Sequence, residues 1–93
     1  MNAALNTLHE VIMNKHIEQI INAKRDQFES EHSDILLWYF KDRELNGWRF
    51  VMLDRNNQDR RLVRILSGDT LAQAFTDVLW YTFTFMRNEL MGC

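Results

Sequence analysis

The stretch "SDILLWYFKDRELNG", Ser33 to Gly47, decides the fold of this chain. At its centre Ile35 to Phe40 is a bulky, aromatic run of the kind strands favour. Read as a strand, it opens a three-stranded antiparallel meander between two helices, an αβββα order of the α+β class. A second reading stays open: Ser33 caps a helix that runs to Leu45 and stops at Asn46-Gly47, which would give ααββα with residues 34-45 helical. The strand reading carries its own consequence. A strand that is apolar on both faces needs cover on its second side, and a partner chain would supply it.

Downstream, the residues from Trp48 to Asp54 alternate, with Trp48, Phe50 and Met52 on one face and Arg49, Val51 and Leu53 on the other. The alternation resumes from Arg61 to Leu66. If the polar segment "DRNNQDR" closes through a two-residue turn at Asn57-Gln58, Leu53 pairs with Leu62. Trp48, Phe50, Met52, Val63 and Ile65 then share one apolar face, the expected core side. Arg49, Val51, Leu53, Leu62, Arg64 and Leu66 would form the other.

The flanking segments read as helices. Ser67-Gly68 marks a turn, and a helix beginning at Asp69 or Thr70 runs to about Met91. It is expected to bury Leu71, Phe75, Val78, Leu79, Phe83, Met86 and Leu90, with Tyr81 and Phe85 flanking that face and Trp80 on a narrow polar stripe. Upstream, from about Ala4 to Phe28, Leu5, Leu8, Ile12, Ile20 and Ala23 recur at three- and four-residue steps, and Val11, Ile17, Ile21 and Phe28 broaden the stripe. A helix of that length exceeds what a small three-stranded sheet covers, so part of it is expected to pack on a second subunit.

The 93 residues, with no proline and three glycines, offer no linker or internal boundary, and residues 1-93 read as a single small domain. An apolar share of 46% with 26% charged residues of mixed sign is that of a folding chain. A domain this small buries only about 60 to 65% of its unfolded surface, so self-association, as a homodimer, would help it. The lone cysteine, Cys93, can form no intramolecular disulfide and fits a reducing, cytoplasmic setting. No apolar run is long enough to span a membrane, and the first residues lack the pattern of a signal peptide.

Charge is uneven. The net value is −2, yet residues 41–66 carry seven basic and four acidic side chains between two acidic ends. The segment Gly47 to Leu66 holds five of the eleven Lys and Arg residues: Arg49, Arg55, Arg60, Arg61 and Arg64. On the expected hairpin, Arg55, Arg60 and Arg61 cluster at the tip, with Arg49 and Arg64 on the face beneath. Arginine forks suit carboxylate or phosphate. Aromatic residues make up 12% of the chain, and Trp or Tyr beside Arg is the mix enriched at binding hot spots. Trp80, on the polar stripe of its helix, and whichever of Trp38 or Tyr39 faces away from the core are the candidate surface anchors.

Catalytic patterns are missing. His9, His16 and His32 show no metal-ligand spacing, and Asp42, Glu44, Asp54 and Asp59 sit at expected strand ends and turns, where acids are common. No GxGxxG, P-loop, GxSxG or CxxC occurs. No catalytic, cofactor or metal residue is therefore assigned. The helix, three strands, helix order is similar to that of double-stranded RNA-binding domains, which read A-form geometry partly through basic residues at the start of the last helix. Here that helix begins "GDTLAQAF", with an acid and no lysine, so no RNA-contact residue is carried over.

Two functions are expected from this reading. The first is a non-catalytic protein-interaction module, a small cytoplasmic regulator or inhibitor of the kind phages and mobile elements encode. It would bind a protein partner through an aromatic, arginine-bearing sheet face and the hairpin tip. The alternative is a nucleic-acid-binding module that sets the hairpin arginines on phosphates.

Overall fold

A computed structural model describes residues 2–42, 44 and 47–92, with side chains described for 14–42, 44, 47–67 and 78–92. The order is α1 (Asn2–Glu31), β1 (Ile35–Asp42), β2 (Gly47–Asp54), β3 (Asn57–Ser67) and α2 (Gly68–Met91). The strands form one antiparallel sheet in the order β1-β2-β3. The αβββα reading therefore holds, and Ile35 to Asp42 is strand rather than helix. Leu45 and Asn46, the expected end of the alternative helix, lie outside the described residues.

Why Ile35 to Asp42 extends is visible in its surroundings. The His32 backbone N–H closes the last turn of α1 on the Phe28 carbonyl (2.9 Å), and the Ile35 N–H donates to the His32 carbonyl (3.2 Å). This compact corner releases the chain into β1. There the Leu37 N–H meets Glu29 Oε1 of α1 at 2.7 Å, so a carboxylate from the helix satisfies a backbone donor of β1, an edge strand. Ile35 and Leu37 alternate into the interior, and β2 supplies the partner row.

Both helices lie on one face of the sheet. The core joins Ile17, Ile21 and Phe28 of α1 with Ile35, Leu37, Trp48, Phe50 and Met52 of the sheet and Leu79, Phe83, Met86 and Leu90 of α2. Its centre is aromatic: the Phe28 ring meets Trp80 edge-on at 5.1 Å and Phe83 at 5.6 Å, and Phe83 meets Phe50 at 5.6 Å. The buried positions of α2 fall at the three- and four-residue steps of one helix face. In α1, Ile20 packs half-buried against the core, but Ala23, expected in the buried stripe, is exposed. Leu5, Leu8, Val11 and Ile12, and likewise Leu71 and Phe75, lie outside the described side chains.

With 30 residues, α1 is roughly 45 Å long, against about 27 Å for an eight-residue strand. The longest dimension of the molecule is 51 Å. Asp34 ties the α1–β1 corner to α2 through a two-pronged contact with Arg87, Nη2 to Oδ2 at 2.6 Å and Nε to Oδ1 at 3.3 Å. Gly92, at φ 73°, ends α2 in the left-handed conformation usual after a helix. Among the described residues, no helix is long and apolar enough to cross a membrane.

The β2–β3 hairpin departs from its expected register. The turn lies at Arg55-Asn56, not at Asn57-Gln58, and the Asn56 N–H donates to Asp54 Oδ1 at 3.0 Å, an Asx turn. Asp54 pairs with Asn57, but the next residue of β2, Leu53, pairs with Arg61, so β3 bulges over residues 58–60. Beyond the bulge Met52 faces Leu62, where Leu53 was expected to do so. A change of one residue sends every side chain to the opposite face. Val63 and Ile65, expected in the core, point away from the helices and are exposed, while Leu62 and Leu66 pack half-buried against the core.

Candidate interaction surface

The second face of the sheet is left open by this register. Three rows cross it: Leu36–Leu53–Arg61, Trp38–Val51–Val63 and Phe40–Arg49–Ile65. No element among the described residues covers them. Trp38 is 47% exposed, Phe40 48%, Val63 49% and Ile65 44%, and Leu36, Val51 and Leu53 are half-buried between them. The tighter middle of this patch is β2, flanked on each side by a strand whose side chains stand clear.

The charged groups on this face are Arg49 and Arg61, with Asp42 at the end of β1. Arg49 donates from Nη2 to Asp42 Oδ2 at 2.7 Å and lies 5.5 Å from the centre of the Phe40 ring. A cation stacked on a ring and neutralised by a carboxylate presents little free charge. Its Nε is buried without a hydrogen-bond partner among the described residues, as is Trp48 Nε1 on the other side of the sheet. Arg61 stands exposed at the end of the face, beside the bulge.

The expected basic cluster is divided. Arg55 and Arg60 are exposed near the hairpin end, as is Arg61. Arg64, expected on the same face as Arg49, lies on the helix side, because it pairs across from Phe50. There it reaches past the sheet edge to Glu89 Oε2 at 2.5 Å and stacks 4.8 Å from the Phe85 ring. The five arginines therefore do not form one surface: two are held by acids of their own chain on opposite faces.

The aromatic candidates divide too. Trp38 stands on the open face. Tyr39 lies on the helix side, half-buried, where its hydroxyl donates to Asn22 Oδ1 at 2.5 Å and its ring packs near Trp48 and Phe50. Burial pushes its pKa above the ordinary 10.0, and the nearby Glu18 adds to that. Trp80 is half-buried against Phe28, with Lys24 Nζ 5.5 Å from its ring. Of Trp38 and Tyr39 it is Trp38 that faces outward, while Trp80, expected on a polar stripe, packs against the core.

Phe40, which the sequence reading did not single out, and Val63 and Ile65, which it placed in the core, join the surface. The sequence held a signal for this: "LVRIL", Leu62 to Leu66, is apolar on both faces, so one of its faces had to be open unless a second layer covered it. A smaller apolar groove lies at the β3 edge, lined by Arg64, Ile65, Leu66, Tyr81, Thr82 and Phe85. Tyr81 and Phe85, expected to flank the buried face of α2, are exposed there.

Among the described residues, no three His, Cys, Asp or Glu side chains converge as a metal site would require. His32 stacks on Phe28 at 4.1 Å, and its Nδ1 donates to the Phe28 carbonyl at 3.1 Å, a helix-end role. Asp34 has its pKa lowered, first by the hydrogen bond from Arg87, with burial opposing. That is the behaviour of a structural ion pair. Compared with known protein families, with curated proteins and with solved structures, the chain matches none.

Proposed function

We propose that this chain is a non-catalytic protein-interaction module, a small regulator or inhibitor acting in a cytoplasmic setting, that binds a protein partner through the open face of its sheet. The observation that carries the reading is the uncovered apolar surface of Trp38, Phe40, Val63 and Ile65 across all three strands. Contiguous apolar surface of this kind, rimmed by polar groups, marks interaction sites. Trp38 provides the large rigid side chain typical of a binding hot spot. Arg55, Arg60 and Arg61 at the hairpin end form a basic rim that steers and orients an acidic partner more than it holds it.

The phosphate-binding alternative draws less support, because Arg49 and Arg64 engage Asp42 and Glu89 and face opposite ways. The experiment that separates the two is affinity capture by the tagged chain from a native lysate, with and without nuclease, repeated with Trp38→Glu. Proteins, including untagged copies of the chain itself, retained after nuclease and lost with Trp38→Glu are the expected result. Capture that vanishes with nuclease, or that ignores the substitution, overturns the reading.

A further inference from the structure

We infer that the occupant of the open sheet face is a second copy of this chain, packed sheet against sheet about a two-fold axis that crosses the strands through Trp38, Val51 and Val63. This rests on the reading of that face as an interaction surface and names its partner.

Four side chains at nearly half exposure leave on the order of 400 Å² of apolar surface, since a large aromatic carries about 150 to 250 Å² and branched aliphatics somewhat less. With Leu36, Val51, Leu53 and the arginine stems, two such faces together bury about 1,200 Å², the lower end of a specific interface. One three-stranded sheet is matched in outline by another of the same size. Packed face to face, such sheets align within about 30° and interdigitate to build a core about 10 Å thick.

Charge selects the axis. The face holds Arg49, already neutralised by Asp42, and Arg61 at one end. A two-fold axis along the strands would set Arg49 against the partner's Arg49. The axis across the strands instead exchanges the outer rows. Leu36 then meets the partner's Phe40, Leu53 meets the partner's Arg49 stem, and Arg61 meets the partner's Ile65, so no like charges are directly opposed. Trp38, Val51 and Val63 meet their own copies along the axis. An isologous interface needs this self-complementarity.

The test is the solution mass of the full chain, by sedimentation and light scattering over a micromolar concentration series, in reducing buffer so that Cys93 forms no cross-link. Wild type is expected at twice the chain mass. Val63→Glu with Ile65→Glu is expected at the chain mass with an unchanged circular dichroism spectrum, because both positions are exposed in the single chain. Trp38→Glu provides an independent second variant. Asn88→Lys, at an exposed position of α2, should remain dimeric. A wild type at the chain mass throughout the series overturns the second copy as occupant. It leaves the interaction reading to the capture experiment, where a different protein would then hold the face. A dimer that survives both face variants in folded form also overturns the inference, by placing the contact elsewhere.

Discussion

The two faces of the sheet are made from alternate residues of the same three strands, and their compositions are close. One presents Ile35, Leu37, Trp48, Phe50 and Met52, all buried; the other presents Leu36, Trp38, Phe40, Val51, Leu53, Val63 and Ile65, half-buried to exposed. Apolarity does not distinguish them. What does is the landing of α1 and α2, both on the first face, where Phe83 packs on Phe50 and Phe28 packs on Phe83. A strand of this kind carries two potential cores, and only the helices choose which is used within the chain.

The largest expected effect tests that contrast directly. Phe50→Ala removes a wholly buried ring and should cost about 3 to 5 kcal/mol of folding stability, whereas Phe40→Ala, on the open face, should cost less than about 1 kcal/mol. Denaturant unfolding of each in the Val63→Glu, Ile65→Glu background removes any contribution from association. Equal losses would mean that the two faces are equally structural within one chain.

The next effect lies where β2 meets β3. A Cβ added at Gly47 would sit 2.6 Å from the Leu66 carbonyl oxygen, too close for any atom, so one strand must move. Gly47→Ala should therefore lose about 1 to 3 kcal/mol, while the preserved open-face residues keep their alternation. An unchanged unfolding midpoint would show that the end of the hairpin yields freely.

A smaller effect joins the covered face to pH. The Asp34 carboxyl has its pKa held below the usual 3.8 by the Arg87 hydrogen bond. A depressed pKa in the folded state means that the stabilisation is present above the unfolded value and is lost as pH falls through the folded one. Both side chains are partly exposed, so the pair is worth about 1 kcal/mol or less. Asp34→Asn should lower the thermal midpoint modestly at neutral pH, and the gap to wild type should close as pH drops below 3.8. A gap that persists in acid would assign Asp34 a role other than its ion pair.

The smallest expected effect is on folding itself when the open face changes. Trp38→Glu should alter the stability of the isolated chain by no more than about 0.5 kcal/mol, while its effects on capture and on solution mass are large. That separation of binding from folding is what the contrast between the two faces predicts.

How much was legible follows from periodicity. The helical steps of Leu79, Phe83, Met86 and Leu90 and the alternation of Trp48, Phe50 and Met52 each point one way, and the elements they imply are present. Strand β3 gave no such direction. "LVRIL" is apolar at every position but Arg64, and an arginine at a sheet edge is long enough to point toward the helices and still reach Glu89 near the surface. The turn offered "DRNNQDR", in which several two-residue turns are chemically acceptable. The Asx turn at Asp54 and the bulge after it settled the register, and with it the composition of the open surface.

By itself, then, the sequence determined the alternation and burial of β2 and the buried stripe of α2, because those depend on local period; it left Ile35 to Asp42 open between strand and helix, and with it the order of elements. Only the tertiary structure decided which face of β3 is covered, which arginines are engaged and which aromatic stands outward. The reason is geometric: when both faces of a strand are apolar, a one-residue change of register inverts its surface at little local cost, and the choice passes to the helices that pack against it.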